Sequence, residues 1–222
     1  MFKKISKGWW AVIIIVAVLI IDQAIKIWVK TSFYLGQDVE IFPWFHLRFV
    51  QNNGMAFGME MGPKLYLSIF RLIVVALLIY YLIKLVRKGN APMGYIATIS
   101  LITAGAAGNI FDCMFYGQIF NNPGYGQVAS FVPFGHGYSG IFSGQVVDMF
   151  YFPLFSFTWP QWMPFVGGKE FSFFDPVFNF ADAMICIGIF ILIVKYYRYL
   201  GGDKLRSKET GKNKETKSGK AA

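Results

Sequence analysis

The sequence predicts an all-α membrane protein with four transmembrane helices, both termini cytoplasmic, and a small strand-rich or interfacial outer region. Only 15% of the 222 residues are charged, whereas a soluble domain carries about 25%. Hydrophobic residues make up 55% of the chain, and four apolar stretches are long enough to cross a bilayer. A chain with so little charge cannot face water on all sides.

The same composition argues against several classes of protein. The 21 basic residues and the net charge of +9 would suit a nucleic-acid binder, but they do not form one basic patch. Two cysteines, Cys113 and Cys186, are too few for a disulfide framework. Two distant histidines, His46 and His136, lack the spacing of metal ligands. We therefore expect no metal, no cofactor and no nucleic-acid partner.

The predicted spans cover about residues 9–29, 66–83, 94–111 and 178–194. Thr98, Ser100 and Thr103 dilute the third span, but small and hydroxyl-bearing residues are common where membrane helices pack closely. The apolar run after the basic start is followed by Asp22 rather than by a small-residue cleavage site. This favours a retained first span over a cleaved leader.

The basic residues predict the orientation of these spans. With both termini inside, 15 of the 21 fall in inner segments, and four, Lys30, Arg48, Lys64 and Lys169, fall outside. We expect one integral membrane domain over residues 1–200, with outer segments 31–65 and 113–177. Residues 201–222 form a basic tail that is too polar to bury a core, so we expect it to be disordered and cytoplasmic. The tail is either simply solvated or in contact with anionic lipid.

Four of the twelve acids lie in or beside apolar runs: Asp22, Asp112, Asp148 and Asp182. An ionisable group at membrane depth is costly and is a candidate for function. In the predicted topology all four can gather near the outer boundary. Asn109 and Asn179 each precede an acid by three residues and so share its helical face. Asp22 and Lys26, four residues apart, are interpreted as a structural ion pair, with a functional relay as the alternative.

Paired carboxylates without a metal, a nucleophilic serine or a close histidine are suited to the acid–base activation of water. Two neighbouring carboxylates hold one proton between them, so that one can take a proton from water while the other polarises a carbonyl. The acids alone fit a small proton-coupled transporter, which would use Asp22, Lys26 and Asp112 as a relay, nearly as well. A non-catalytic scaffold is a third hypothesis.

Five motifs in order resemble those of lipoprotein signal peptidase, the type II signal peptidase family of bacteria. The family's Asp-x-x-x-Lys is present as Asp22 to Lys26, and its Asn-x-Gly-x-Ala-Phe as Asn52 to Phe57. The other three matches are Gly-Asn-x-x-Asp at 108–112, Val-Val-Asp at 146–148 and Phe-Asn-x-Ala-Asp at 178–182. Each motif is weak alone, but the ordered set on a four-span chain is specific.

The resemblance implies that Asp148 and Asp182 are the catalytic aspartates of an aspartic endopeptidase. It implies that supporting polar positions place the substrate and the dyad, namely Asn52, Gly54, Asn109, Asp112 and Asn179. The implied substrate is a prolipoprotein whose cysteine carries diacylglycerol, cut just before that cysteine. The implied location is the bacterial cytoplasmic (inner) membrane, with the site toward the outer face, and membrane lipid as the surroundings. No obligate protein partner is implied.

Two features depart from the family pattern. The family's arginine after Asp112 is Cys113 here, so that another residue supplies the cation or the cation is absent. The connections between the acids are also longer than is typical, with aromatic, Gly- and Pro-rich inserts at 117–144 and 151–175. These inserts either form an outer platform that guides lipid or substrate, or have no role in function.

Overall fold

The structure is a computed structural model, and it describes residues 5–52, 64–173 and 175–200. Within these residues, four helices are long and apolar enough to cross a membrane: Lys7–Ser32, Leu65–Lys88, Met93–Ile119 and Phe180–Tyr199. This confirms the four predicted spans and the strand-containing region between them. Gly54 and the predicted tail at 201–222 lie outside the described residues.

Helix α1 covers Lys7–Ser32, and α2 covers Lys64–Lys88. Ser6 caps α1, because its hydroxyl accepts a hydrogen bond from the backbone N–H of Trp9 at 3.3 Å. Gly89 ends α2 with a φ of 68°, a left-handed conformation that glycine adopts without strain. These end signals lie beyond the apolar runs, which explains why both helices are longer than the predicted spans.

Helix α3 covers Met93–Phe111 and continues without a break into a π-helical segment, Asp112–Tyr116, and a last short turn, α4, at Gly117–Ile119. The predicted end at residue 111 is therefore eight residues short. About two-thirds of the most apolar window in this span is buried, against about a fifth in the other three. The polar dilution of the third span thus reflects a helix enclosed by protein. Its hydroxyl groups are satisfied within the helix, as when Thr103 donates to the Ile99 carbonyl.

Helix α5 covers Phe180–Leu200. The five strands are β1 at Asp38–Phe42, β2 at Phe45–Asn52, β3 at Val146–Tyr151, β4 at Phe155–Thr158 and β5 at Glu170–Phe173. Strands β1, β2 and β3 form an antiparallel sheet in that order, and β4 and β5 form a separate hairpin. Both predicted outer segments therefore contribute strands to one sheet.

The chain divides into two compact units. The first comprises Met1–Ile20, Arg71–Ala107 and Ala181–Ala222, and its core includes Tyr95, Ile96 and Leu85. Gly105 faces the backbone carbonyl of Ala181 so closely that a Cβ would collide with it, so small residues bring α3 and α5 together.

The second unit comprises Ile21–Phe70 and Gly108–Phe180 and contains both sheets. Its core includes Phe49 from β2, Val147 and Met149 from β3, and Phe120 from the first insert. The first insert is therefore an integral part of this core. The second insert forms the β4–β5 hairpin, where Trp162 and Phe165 are exposed.

Candidate active site

The candidate site lies within the second unit and starts on one face of α1. Lys26 is fully buried, and its Nζ lies 3.0 Å from Asp22 Oδ2, one turn earlier, and 2.8 Å from Asp112 Oδ2. Both carboxylates are also fully buried. Removing two acids and a lysine from water is costly, and their mutual contacts offset this cost. One ammonium thus joins the Asp-x-x-x-Lys motif to the Gly-Asn-x-x-Asp motif.

The π-helical segment begins at Asp112. Its extra residue per turn makes the helix locally wider, and such segments are frequent at functional sites. Asp112 accepts a hydrogen bond from Gln23 Nε2 at 2.9 Å and a long one from the backbone N–H of Val147 at 3.4 Å. The carboxylate therefore links α1 to β3, the strand that carries Asp148.

Gln23 and Tyr116 complete this end of the network, and neither is among the site residues predicted from the sequence. The Gln23 amide also donates to Asp22 Oδ2 at 3.1 Å, and the Tyr116 hydroxyl donates to Gln23 Oε1 at 3.0 Å. A signal was present in the sequence, since Gln23 follows Asp22 directly and Tyr116 follows Asp112 by four residues.

Asparagine side chains carry the network from Lys26 to Asp148. Asn109 Oδ1 accepts hydrogen bonds from Lys26 Nζ at 2.9 Å and from Asn179 Nδ2 at 3.0 Å. Asn179 Nδ2 also donates to Asp148 Oδ1 at 2.6 Å. Asp148 is 2% exposed and Asn179 is fully buried. The structure thus brings together Asp22, Lys26, Asn109, Asp112, Asp148 and Asn179 in one buried hydrogen-bonded cluster.

Strand register places Asp148 in this cluster. On the β2–β3 ladder Asp148 is opposite Val50, and Val146 is opposite Asn52, so Asn52 lies at the end of the strand next to β3. Gly144 precedes β3 and approaches the Asp112 backbone carbonyl so closely that a side chain there would collide with it. This glycine allows the chain to enter β3 directly beside the π-helical segment.

Asp182 lies in the first turn of α5, where a carboxylate is favoured by the helix dipole, and it is half-buried. It follows Asn179 by three residues but belongs to the first unit. Within the described residues, no group of three or more His, Cys, Asp or Glu side chains could hold a metal ion.

Lys30 occupies a different environment from the one predicted. The sequence predicts that Lys30 lies outside the first span, beyond residue 29, but it lies in the last turn of α1 and is fully buried. Its Nζ forms no hydrogen bond with any described residue. Three ring centres surround it instead, those of Phe120 and Tyr138 at 5.2 Å and that of Phe49 at 5.8 Å. Lys30 is thus a buried cation held by aromatic faces.

Cys113, which stands where the family has arginine, is also buried. Its backbone carbonyl accepts a hydrogen bond from the N–H of Gly144 at 2.9 Å.

The Tyr138 hydroxyl accepts a hydrogen bond from the Gln145 N–H at 2.7 Å. Burial raises the pKa of Tyr138 to about 12, against the lowering effect of this hydrogen bond, and the negative charge of Asp112 adds to the rise. Tyr138 is therefore a neutral hydroxyl beside the acidic cluster.

Four apolar helices and a buried cluster of acids, amides and one lysine define a membrane protein with a buried polar site. The family model described as Signal peptidase (SPase) II matches residues 14–198. The lipoprotein signal peptidase of Porphyromonas gingivalis (strain ATCC 33277) is 50% identical over 196 residues, which cover 88% of this chain and 86% of that protein. The corresponding protein of Amoebophilus asiaticus is 36% identical, over 87% of this chain and 79% of its own length.

The solved structure of a bacterial membrane enzyme, determined by the in meso method at 2.3 Å resolution, is similar to this chain, with a TM-score of 0.57 and 25% identity. The match covers 85% of this chain and 87% of that one. The chain belongs to the signal peptidase II family, and it is a membrane-spanning protease. The resemblance inferred from the five motifs is confirmed, and the transporter and scaffold alternatives are set aside.

Proposed function

We propose that this protein removes the signal peptide from diacylglyceryl-modified prolipoproteins, just before the lipidated cysteine, with Asp148 and Asp182 as the catalytic pair. The observation that carries the proposal is the buried carboxylate of Asp148, held by Asn179 in a chain of this family. Relatives that match most of this chain are named lipoprotein signal peptidases.

In the proposed reaction the two aspartates share one proton. The ionised carboxylate takes a proton from water, and the resulting hydroxide attacks the carbonyl carbon of the peptide bond before the lipidated cysteine. The protonated carboxyl donates its proton to the carbonyl oxygen. When the tetrahedral diol collapses, the C–N bond breaks, and the carboxyl that received the proton of water gives it to the cysteine nitrogen. The other carboxylate takes a proton from one of the two diol hydroxyls, so the products are an acid and an amine and the pair again holds one proton.

The other polar residues support this pair. Asn179 fixes one oxygen of Asp148, and Asn109 joins Asn179 to Lys26. Asp22 and Lys26 form the structural ion pair, and Asp112 shares the same ammonium. We place Asn52 and Gly54 beside the substrate on the strength of the family motif. A low-dielectric setting of this kind makes an oriented hydrogen bond worth more than it is in water.

We also propose the setting in which the enzyme acts. It is a single peptidase domain over residues 1–200 with a cytoplasmic tail, lies in the bacterial inner membrane with both termini inside, and opens its site toward the outer face. The basic residues at the inner ends of the helices support this orientation. Its partners are the prolipoprotein and the surrounding lipid, and it needs no protein partner and no cofactor.

The test replaces each aspartate separately, as Asp148→Asn and Asp182→Asn, and follows cleavage of a lipidated precursor in detergent micelles. Asparagine keeps the side-chain volume and removes the titrating group, so we expect each change to lower the cleavage rate by at least about 10²-fold. Glu40→Gln, an exposed acid on β1, is the matched control and should cleave normally. Thermal unfolding of each variant separates loss of chemistry from loss of fold. Processing at the normal rate in either aspartate variant would overturn the dyad.

A further inference from the structure

An apolar groove runs along the start of α1 and the end of α2, within the first unit. Its volume is about 540 Å³, which is within the range of pockets that bind small molecules. Val12 lines it from α1, and Ile79 and Ile83 line it from α2. All three side chains are more than two-fifths exposed. The groove is therefore open and apolar, and it lies between two membrane-spanning helices.

Small residues beside the groove hold the two helices at a fixed separation. A Cβ at Gly8 would lie 3.3 Å from Val86 Cγ1, and Ala11 is only 4% exposed. The Lys7 ammonium donates to the carbonyls of Gly89 at 3.0 Å and Ala91 at 2.7 Å, which ties the start of α1 to the end of α2. The groove is thus built into the helix pair and does not depend on a mobile side chain.

One end of the groove is basic. Arg87, in the last turn of α2, lines it together with Ser6. Lys7 is already engaged by carbonyls, but the Arg87 guanidinium makes no hydrogen bond or ion pair within the described part of the chain. The guanidinium is therefore an exposed, positively charged donor group at one end of the apolar groove.

Among the described residues, the lining of the groove includes no acid that could neutralise this charge. The described part of the first unit contains a single acid, Asp182, in the first turn of α5. It contains seven basic residues: Lys7, Arg71, Lys84, Arg87, Lys88, Lys195 and Arg198. An anion would match this excess of positive charge, and an acyl chain would match the apolar groove.

We propose that this groove binds one anionic phospholipid, with an acyl chain between α1 and α2 and the phosphate on Arg87. Basic pockets between membrane helices are typical binding sites for acidic lipid headgroups. The planar fork of a guanidinium binds two phosphate oxygens through two parallel N–H donors, a geometry that an ammonium does not offer. The site involves none of the residues proposed for catalysis, so the proposal stands independently of the peptidase mechanism.

The experiment measures lipid retention by native mass spectrometry of the purified full chain in detergent, after mixing with phosphatidylglycerol or phosphatidylcholine. We expect the unmodified protein to retain phosphatidylglycerol preferentially, in a single stoichiometric copy. Arg87→Gln should weaken that retention by about fivefold, the effect of losing one basic contact with an anionic lipid. Lys84→Gln removes an equal charge from the same helix outside the groove lining, and it should retain the lipid.

A second pair of variants tests whether the lipid occupies the apolar groove. Val12→Trp fills the groove with a large apolar side chain and should abolish the retained copy. Ile13→Trp places the same bulk on the neighbouring residue, which is also exposed but does not line the groove, and should leave binding unchanged. Both changes keep an apolar surface, and thermal unfolding in detergent identifies any variant that fails to fold.

Three outcomes would overturn the proposal. Equal retention of both lipids would show that the groove does not select an anion. Undiminished retention of phosphatidylglycerol by Val12→Trp would place the lipid elsewhere. A dimer in the native mass spectrum that carries no lipid, and that Val12→Trp disrupts but Ile13→Trp does not, would assign the groove to a second copy of the chain.

Discussion

The Asn179 side chain donates a 2.6 Å hydrogen bond to one carboxylate oxygen of Asp148, and both residues are almost completely buried. The same amide nitrogen donates to Asn109, so that it spans two acceptors and has a fixed orientation. In this way the residue just before α5 determines the position of a carboxylate on β3.

We therefore predict that Asn179→Ala lowers the cleavage rate by about 10²-fold, because the Asp148 carboxylate loses the donor that orients it. The variant should also lose about 1–3 kcal/mol of unfolding free energy, since a buried acceptor is left unsatisfied. Steady-state cleavage of a lipidated precursor and thermal unfolding measure the two effects. Asn122→Ala, at an exposed position, is the control and should change neither. Normal cleavage by Asn179→Ala would show that the amide does not position the carboxylate.

Much of this fold could be predicted from the sequence because the dominant signal is local. A helix that crosses lipid needs a long apolar run, and that run is visible without any knowledge of tertiary contacts. The pairing of Asp22 with Lys26 likewise follows from helical spacing alone. Such features depend on residues within one or two turns of each other.

The remaining features depend on contacts between distant segments. Asn179 and Asp148 are 31 residues apart and meet only through the register of β3. The π-helical segment at Asp112–Tyr116 arises from one extra residue per turn, which leaves no periodic signal. Lys30 lies at helical spacing from Lys26, but only the folded first insert shows that aromatic rings enclose it.

We predict that metal chelators leave peptidase activity unchanged. The described residues contain no cluster of His, Cys, Asp or Glu that could hold a metal ion, and the proposed reaction needs only two carboxylates and water. The measurement compares the cleavage rate before and after prolonged incubation with EDTA, followed by gel filtration. Added zinc or magnesium should then have no restoring effect. Loss of activity that a metal ion restores would contradict the mechanism.

We predict that Tyr138 makes the fold sensitive to alkaline conditions. Its pKa is about 12 in the folded chain, above the ordinary value of about 10. Below pH 10 both states keep the proton, but between pH 10 and 12 the unfolded chain releases it first. The unfolding free energy should therefore fall as the pH rises through this window. Tyr138→Phe removes the group, so the fall should be smaller in a urea titration series at each pH.

The difference between the two pH profiles isolates the contribution of Tyr138, because the remaining tyrosines and all the lysines are the same in both proteins. Tyr138→Phe also removes the acceptor of the Gln145 N–H, which lowers stability at every pH and so shifts the curve without changing its slope. Parallel pH profiles for the two proteins would show that Tyr138 does not contribute.

We predict different effects on stability when the two buried lysines of α1 are replaced. Lys26→Met leaves Asp22 and Asp112 as buried charges without their shared ammonium, and we expect a loss of about 3–5 kcal/mol in unfolding free energy. Lys30→Met removes an ammonium that has aromatic neighbours and no hydrogen-bond acceptor within the described residues. A cation–π contact is worth about 0.5–2 kcal/mol, and burying a charge costs several kcal/mol, so the second variant should be as stable as the parent or more stable.

The two variants are matched, because the same substitution is made one turn apart on the same helix and both side chains are fully buried. Thermal unfolding in one detergent gives the difference directly, and the double variant Asp22→Asn with Asp112→Asn should reduce the effect of Lys26→Met by removing the charges it leaves unpaired. If Lys30→Met destabilised the protein as much as Lys26→Met, then Lys30 would be a counter-charge for the Asp112 carboxylate. In that case its ammonium would serve the acidic cluster, and the aromatic rings would only set its position.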